Sequence, residues 1–137
     1  MAIHRQSLGY ITGAQTYAAG RPGYPPEAGD WLRETLGIGP GSRVLEVGAG
    51  TGKFLPLLKA CTPQVIALEP IAEMRAILQR DHPDVEALAG TADAIPLPGA
   101  AVDAIVCAQA FHWFATAAAV AEMRRVLKPG GTLGLIW

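Results

Sequence analysis

Short apolar runs punctuate this chain at regular intervals. Positions 43–47, 64–69, 85–89, 102–108 and 132–137 each read as a buried strand, with boundaries good to about a few residues. Segments with apolar residues at helical spacing lie between them. Pro25 and Pro26 open a helix through Trp31, Leu32 and Leu36, which Gly37 to Gly41 bring to a stop. A second helix is expected over about 51–60. A third, about 71–81, carries Ile71, Met74, Ile77 and Leu78 on one face and ends before Pro83. A fourth, about 116–127, turns Val120, Met123 and Leu127 inward. This alternation predicts an α/β fold: a doubly wound, mostly parallel sheet, covered by helices on both faces. A ligand is expected at the switch point beside the first strand. The chain reads as one domain over 1–137, with about 1–37 forming an N-terminal cap and helix and about 42–137 the alternating core.

The first predicted strand runs into Glu46-x-Gly48-x-Gly50-x-Gly52. Closely spaced glycines let a ligand approach the backbone, and a helix after Gly52 would point N–H groups and a positive dipole end at the same place. A phosphate-cradling NTPase loop is disfavoured, because Gly52-Lys53 is followed by Phe54 and no hydroxyl is placed for magnesium. A dinucleotide fingerprint needs G-x-G-x-x-G, and here the third glycine comes one residue early. The second strand ends at Glu69, 21 residues after Gly48, followed by Pro70 and Ile71. In a βαβ unit that spacing brings the carboxylate to the carboxyl edge of the sheet, within reach of two ribose hydroxyls. An acid opening the next helix is the competing reading of Glu69. Asp93, between Ala92 and Ala94, follows the third strand and reads in its own right as a turn or cap residue.

The order and spacing of these segments resemble class I S-adenosylmethionine-dependent methyltransferases over about residues 10–137. The phrase Arg125-Val126-Leu127-Lys128-Pro129-Gly130-Gly131 followed by an apolar strand resembles a signature of the same family. The likeness is to the small-molecule group that includes ubiquinone-biosynthesis and trans-aconitate methyltransferases. Tyr17 to Pro25 and the Gln109-x-Phe111-His112-Trp113-Phe114 box look nearest the trans-aconitate branch. The resemblance implies strand order 3-2-1-4-5 and S-adenosylmethionine as donor, with S-adenosylhomocysteine as product. It implies that Glu46 holds the methionine ammonium, directly or through water, and that Gly48, Ala49, Gly50 and Gly52 form the loop beneath the ligand. Glu69 then takes the ribose, and Pro70 and Ile71 pack beside the adenine. Asp93 accepts from the adenine amine while a backbone N–H of its neighbours Ala92 and Ala94 reads a ring nitrogen. The backbone carbonyl of Gln109 faces the ammonium, and Tyr17 and Arg21 sit on a lid. Arg21 pairs with the donor carboxylate or with an anionic substrate, or is an ordinary surface residue. His112 reads as a general base or as part of an aromatic pocket wall, and the wall is favoured because transfer from a sulfonium needs mainly alignment.

The family fold has seven strands, so the sequence reads as cut off after strand five, with strands six and seven missing. Strand five would then be an exposed apolar edge, open to self-association unless a loop or the N-terminal segment covers it. The expected function is methyl transfer to a small-molecule acceptor. A non-catalytic S-adenosylmethionine-binding or interaction module is the alternative. A nicotinamide-dependent reductase is disfavoured by the short glycine loop and by the lack of a Tyr-x-x-x-Lys pair.

Composition narrows this further. Half of the 137 residues are hydrophobic, which argues against disorder, and the net charge of −1 gives no electrostatic case for nucleic acid or an anionic membrane. No apolar run is long enough for a membrane helix. Cys61 and Cys107 read as reduced core thiols in a cytoplasmic protein, and no Cys/His pairing at metal spacing is present. His4 and His82 read as solvent-facing.

Overall fold

A computed structural model describes residues 2–6, 24–108 and 116–136. Its elements in chain order are β1 (Ala2–Gln6), α1 (Pro26–Glu34), β2 (Arg43–Val47), α2 (Leu55–Cys61), β3 (Gln64–Leu68), α3 (Ala72–Asp81), β4 (Glu86–Leu88), β5 (Val102–Ala108), α4 (Ala117–Val126) and β6 (Leu127–Ile136). The strands form a 6-stranded sheet in the order β1-β6-β5-β2-β3-β4, and every pairing is parallel. Setting β1 aside, the order is the 3-2-1-4-5 arrangement expected from sequence. The reversal lies between β2 and β5, and ligands of open α/β sheets collect at the carboxyl ends of such a pair.

The central strands are near-continuous runs of Val, Leu and Ile because both sheet faces are covered. Val44, Val65, Ala67, Ala104, Val106 and Ile136 pack on one face with Leu32, Leu55, Leu58 and Leu78 of the first three helices. Leu45, Val47, Ile66, Leu68, Ile105, Leu133 and Leu135 pack on the other with Ala119, Met123 and Val126 of α4. At Gly134 an added Cβ would lie 2.8 Å from Trp31 and 2.5 Å from Leu36, so only a glycine lets α1 seat against β6.

The structure corrects several sequence expectations. The last strand is not an exposed edge. Ala2–Gln6 pairs with it in parallel register, from Ala2↔Thr132 to Gln6↔Ile136, so its backbone groups are bonded on both sides. The N-terminal segment thus takes the covering role that was the alternative to self-association. The strand also begins at Leu127, with no break after the helix. The Lys-Pro-Gly-Gly segment is absorbed by an irregularity in which Val102↔Leu127 gives way to Ala104↔Thr132, with Gly130 at φ 80°. The helix after the glycine loop starts at Leu55, four residues beyond the expected start at 51, because turns occupy the intervening residues. On α3 only Leu78 is buried, and Ile71, Met74 and Ile77 are 47%, 40% and 36% exposed.

Candidate functional site

The carboxyl ends of β2 and β3 and the loop after β4 enclose a cavity of about 950 Å³. Glu46, Gly48, Ala49, Gly50, Glu69, Pro70, Ile71, Ala92 and Asp93 line it together, although they span nearly fifty positions of sequence. Gly52 and Ala94 do not line it. Tyr17, Arg21, Gln109 and His112 lie outside the described residues, as do Trp113 and Phe114.

The loop after β2 is built by left-handed backbone at Gly48 (φ 71°), Gly50 (φ 61°) and Gly52 (φ 94°). These glycines do different work. A Cβ on Gly50 would meet nothing within 4 Å, so its bare backbone leaves open space in the cavity wall. A Cβ on Gly52 would come within 2.9 Å of the His82 ring and 3.0 Å of Leu55. Gly52 therefore serves the packing of α2 against the end of α3. His82 is correspondingly half-buried, not solvent-facing, with Nδ1 3.2 Å from Lys59 Nζ.

Most of the loop's N–H groups are spent inside the protein. The N–H groups of Gly48 and Ala49 donate to the Leu68 carbonyl at 2.9 and 3.1 Å, and that of Gly52 to Ala49. Those of Leu55 and Leu57 donate to Gly52 and Phe54, and Pro56 has none. The Gly50 N–H donates to Glu69 Oε1 at 2.7 Å. A pyrophosphate needs several such donors at once. The site is instead built around carboxylates.

Glu46, one residue before the end of β2, is 2% exposed, and its Oε1 is buried with no hydrogen-bond partner among the described residues. Burial, reinforced by the nearby charge of Glu69, pushes its carboxyl up to about 8. Cys107 on β5 is fully buried, and its thiol is pushed well above the ordinary range by burial and then by Glu46. Glu69, immediately after β3, is 4% exposed. Its Oε1 accepts from Gly50 and its Oε2 from the Ile71 N–H at 2.9 Å, so it ties the glycine loop to the start of α3. Arg75 donates to the Glu69 backbone carbonyl at 2.8 Å and braces the same corner.

Asp93 sits on the turn after β4, closed by a Thr91↔Ala94 bridge, and accepts from the Thr91 hydroxyl. The turn is anchored by the buried side chains of Ala92 and Ile95. Sequence reasoning missed Tyr24, whose ring meets Phe54 edge-on at 4.7 Å in the cavity wall, and Met74, Thr116 and Ala119. Thr116 caps α4 by accepting from the Ala119 N–H at 3.1 Å, which sets that helix start beside the cavity. The cue for Thr116 was present as a hydroxyl residue opening an alanine-rich helix. Among the described residues no group of three or more His, Cys, Asp or Glu is placed to hold a metal. No described helix is long and apolar enough to cross a membrane.

This geometry meets a known family. The sequence profile of a family described as a methyltransferase domain matches residues 45–135. A methyltransferase-like protein of Schizosaccharomyces pombe is 46% identical over 129 residues, covering 93% of this chain and 50% of that protein. The ubiquinone/menaquinone biosynthesis C-methyltransferase of Rubrivivax gelatinosus is 37% identical over 94 residues, covering 66% of this chain and 37% of its own length. Among solved structures, an amino pentose methyltransferase from Micromonospora echinaspora, determined with S-adenosylmethionine bound, superposes with TM-score 0.69 at 33% identity. That alignment covers 81% of this chain and 48% of the other. The chain belongs to the class I S-adenosylmethionine-dependent methyltransferase family. It spans about half the length of the Schizosaccharomyces pombe relative.

Proposed function

We propose that this chain is the donor-binding part of an S-adenosylmethionine-dependent methyltransferase that acts on a small-molecule acceptor. The observation that carries the reading is Glu46 Oε1, a carboxyl oxygen in the wall of the cavity, buried without a hydrogen-bond partner among the described residues. A buried carboxyl in that state is costly unless a donor or cation reaches it, and the α-ammonium of the methionine part is such a group.

The other residues fit the same ligand. Glu69 uses one lone pair on each oxygen for backbone N–H groups, which leaves acceptor capacity for ribose hydroxyls. Ile71 and Met74, partly exposed at the cavity, supply apolar contact for a purine. Asp93 accepts from the exocyclic amine, and Gly50 leaves the space the ligand fills. Bound here, the donor supplies a methyl group on a sulfonium, already activated for in-line displacement. The chain's own contribution is alignment and exclusion of water. The carbonyl of Gln109 beside the ammonium and Tyr17 and Arg21 as lid residues extend the reading, with His112 as pocket wall. The ubiquinone/menaquinone biosynthesis role of the Rubrivivax gelatinosus relative and the amino pentose named for the Micromonospora echinaspora enzyme support a small molecule.

Calorimetric titration with S-adenosylhomocysteine and with NAD tests this. S-adenosylhomocysteine should bind and NAD should not. Glu46→Ala should weaken the nucleoside about ten- to hundredfold, the range for losing a hydrogen bond to a charged group. Binding of NAD in preference, or unaltered affinity in Glu46→Ala, overturns the reading.

A further inference from the structure

The nucleobase end of the cavity is formed by an irregular segment, 90–98, that belongs to no strand or helix. Asp93 can read an amine only if that segment holds one shape. Ladder hydrogen bonds are not what holds it. The backbone of Ile95, two residues after Asp93, is held by side chains from α4, with its carbonyl also accepting from the Leu97 N–H at 2.8 Å. Its N–H donates to Glu122 Oε2 at 2.7 Å, and its carbonyl accepts from Arg125 Nη2 at 3.0 Å. Arg125 Nη1 also reaches the Leu97 carbonyl at 2.9 Å. The two side chains are locked to each other, with Arg125 Nε 2.6 Å from Glu122 Oε1 and Nη2 3.0 Å from Oε2. The segment's far end is fixed to the same helix turn, where the N–H groups of Ala100 and Ala101 donate to the carbonyls of Arg125 and Val126.

We propose that Glu122 and Arg125 are positioning residues for nucleobase recognition, standing in for a strand neighbour so that the turn carrying Asp93 keeps its place at the cavity. An exposed ion pair by itself contributes little. This pair differs because the planar guanidinium bridges two carbonyls and a carboxylate at once, a geometry that an ammonium cannot reproduce. The same helix contributes Thr116 and Ala119 to the cavity at its other end. α4 is thus a rigid link between the two ends of the pocket. The inference rests on the donor-binding reading above and adds what sets its base preference.

The test is a ratio. Affinities for S-adenosylhomocysteine and for its inosine counterpart, which has a carbonyl in place of the amine, are measured for the parent, Arg125→Met, Arg125→Lys, Glu122→Gln and Asp93→Asn. The parent should prefer the adenosine ligand about tenfold or more, the scale of one mismatched hydrogen bond to a charged acceptor. Arg125→Met and Glu122→Gln should bring the ratio to within about threefold of unity, with Arg125→Lys between them and the parent, because one carbonyl can still be reached. A merely structural role would weaken both ligands alike and leave the ratio intact, and that result overturns the proposal. If Arg125→Met does not fold, Glu122→Gln carries the same expectation and Arg125→Lys the intermediate one. A parent that binds both ligands equally overturns the positioning role, whereas a parent that binds neither overturns the donor-binding reading. Asp93→Asn should abolish the preference, and a preference kept in that variant overturns Asp93 as the group being positioned.

Discussion

The ends of β2 and β3 each carry a buried glutamate, and the two are in opposite states. Glu69 is already engaged by the protein: each oxygen accepts from one backbone N–H, and the glycine loop and α3 meet through it. Glu46 is equally buried and has an oxygen that nothing described here satisfies. Identical side chains on adjacent parallel strands thus divide between architecture and readiness. The difference comes from the backbone around them. Gly50 and Ile71 present N–H groups to Glu69, whereas Glu46 lies within a strand whose backbone is committed to β3 and β5. A fold can tolerate one unsatisfied carboxyl at a binding site when its neighbour is secured.

The largest effect should come from pH. The Glu46 carboxyl titrates near 4.5 in the unfolded chain and is pushed up to about 8 in the folded one. Between those values the folded protein keeps a proton that the unfolded chain has lost. Its stability contribution is therefore greatest at acid pH and falls as pH rises through that window. Urea unfolding of the ligand-free protein from pH 5 to pH 8 should show a loss of roughly 3 kcal/mol from this group, at about 1.4 kcal/mol per pH unit. Glu46→Gln should flatten the profile. A parent profile as flat as that of the variant would place the Glu46 proton elsewhere.

Glu69→Ala should cost stability. Two part-buried N–H groups lose a charged acceptor, for a loss of about 2–3 kcal/mol. Nucleoside affinity should fall about ten- to hundredfold as well. If stability were unchanged while affinity fell, Glu69 would be a ligand residue only, and the contrast with Glu46 would disappear.

The smallest effects should separate the glycines beside the two carboxyls. Gly52→Ala should destabilise by about 2 kcal/mol, from left-handed backbone and contact with His82 and Leu55, with little direct effect on ligand. Gly50→Ala meets open space, so its stability cost should be about 1 kcal/mol from backbone alone. It should weaken the nucleoside by a larger factor than Gly52→Ala. Thermal unfolding and titration of the two variants decide this, and equal effects on affinity would mean that both glycines serve the ligand.

Much of the site was legible because its chemistry is local in sequence. The strand before Glu46, the glycine spacing and the distance to Glu69 all follow from one βαβ unit, and the apolar runs locate four of the strands within a residue or two. What was not legible depended on partners remote in sequence. The spacing of Ile71, Met74 and Ile77 puts them on one helix face, but periodicity does not tell whether anything covers them, and here they stay partly exposed. The third glycine of the loop looks like its neighbours until His82, thirty positions later, is found against it. The pairing of Ala2–Gln6 with the last strand joins opposite ends of the sequence, and no local pattern announces it. Glu122 and Arg125 read as a helical ion pair at i, i+3, and nothing in their spacing points to the backbone of Ile95.

Cys107 turns the core into its own reporter. Its thiol is buried in the strand beside Glu46 and held protonated, so a thiol reagent meets it only when the sheet opens. The rate of its chemical labelling therefore measures how often the centre of the molecule comes apart. A ligand that pairs with Glu46 closes that window by mass action, and the slowing it causes is a binding constant read from inside the protein.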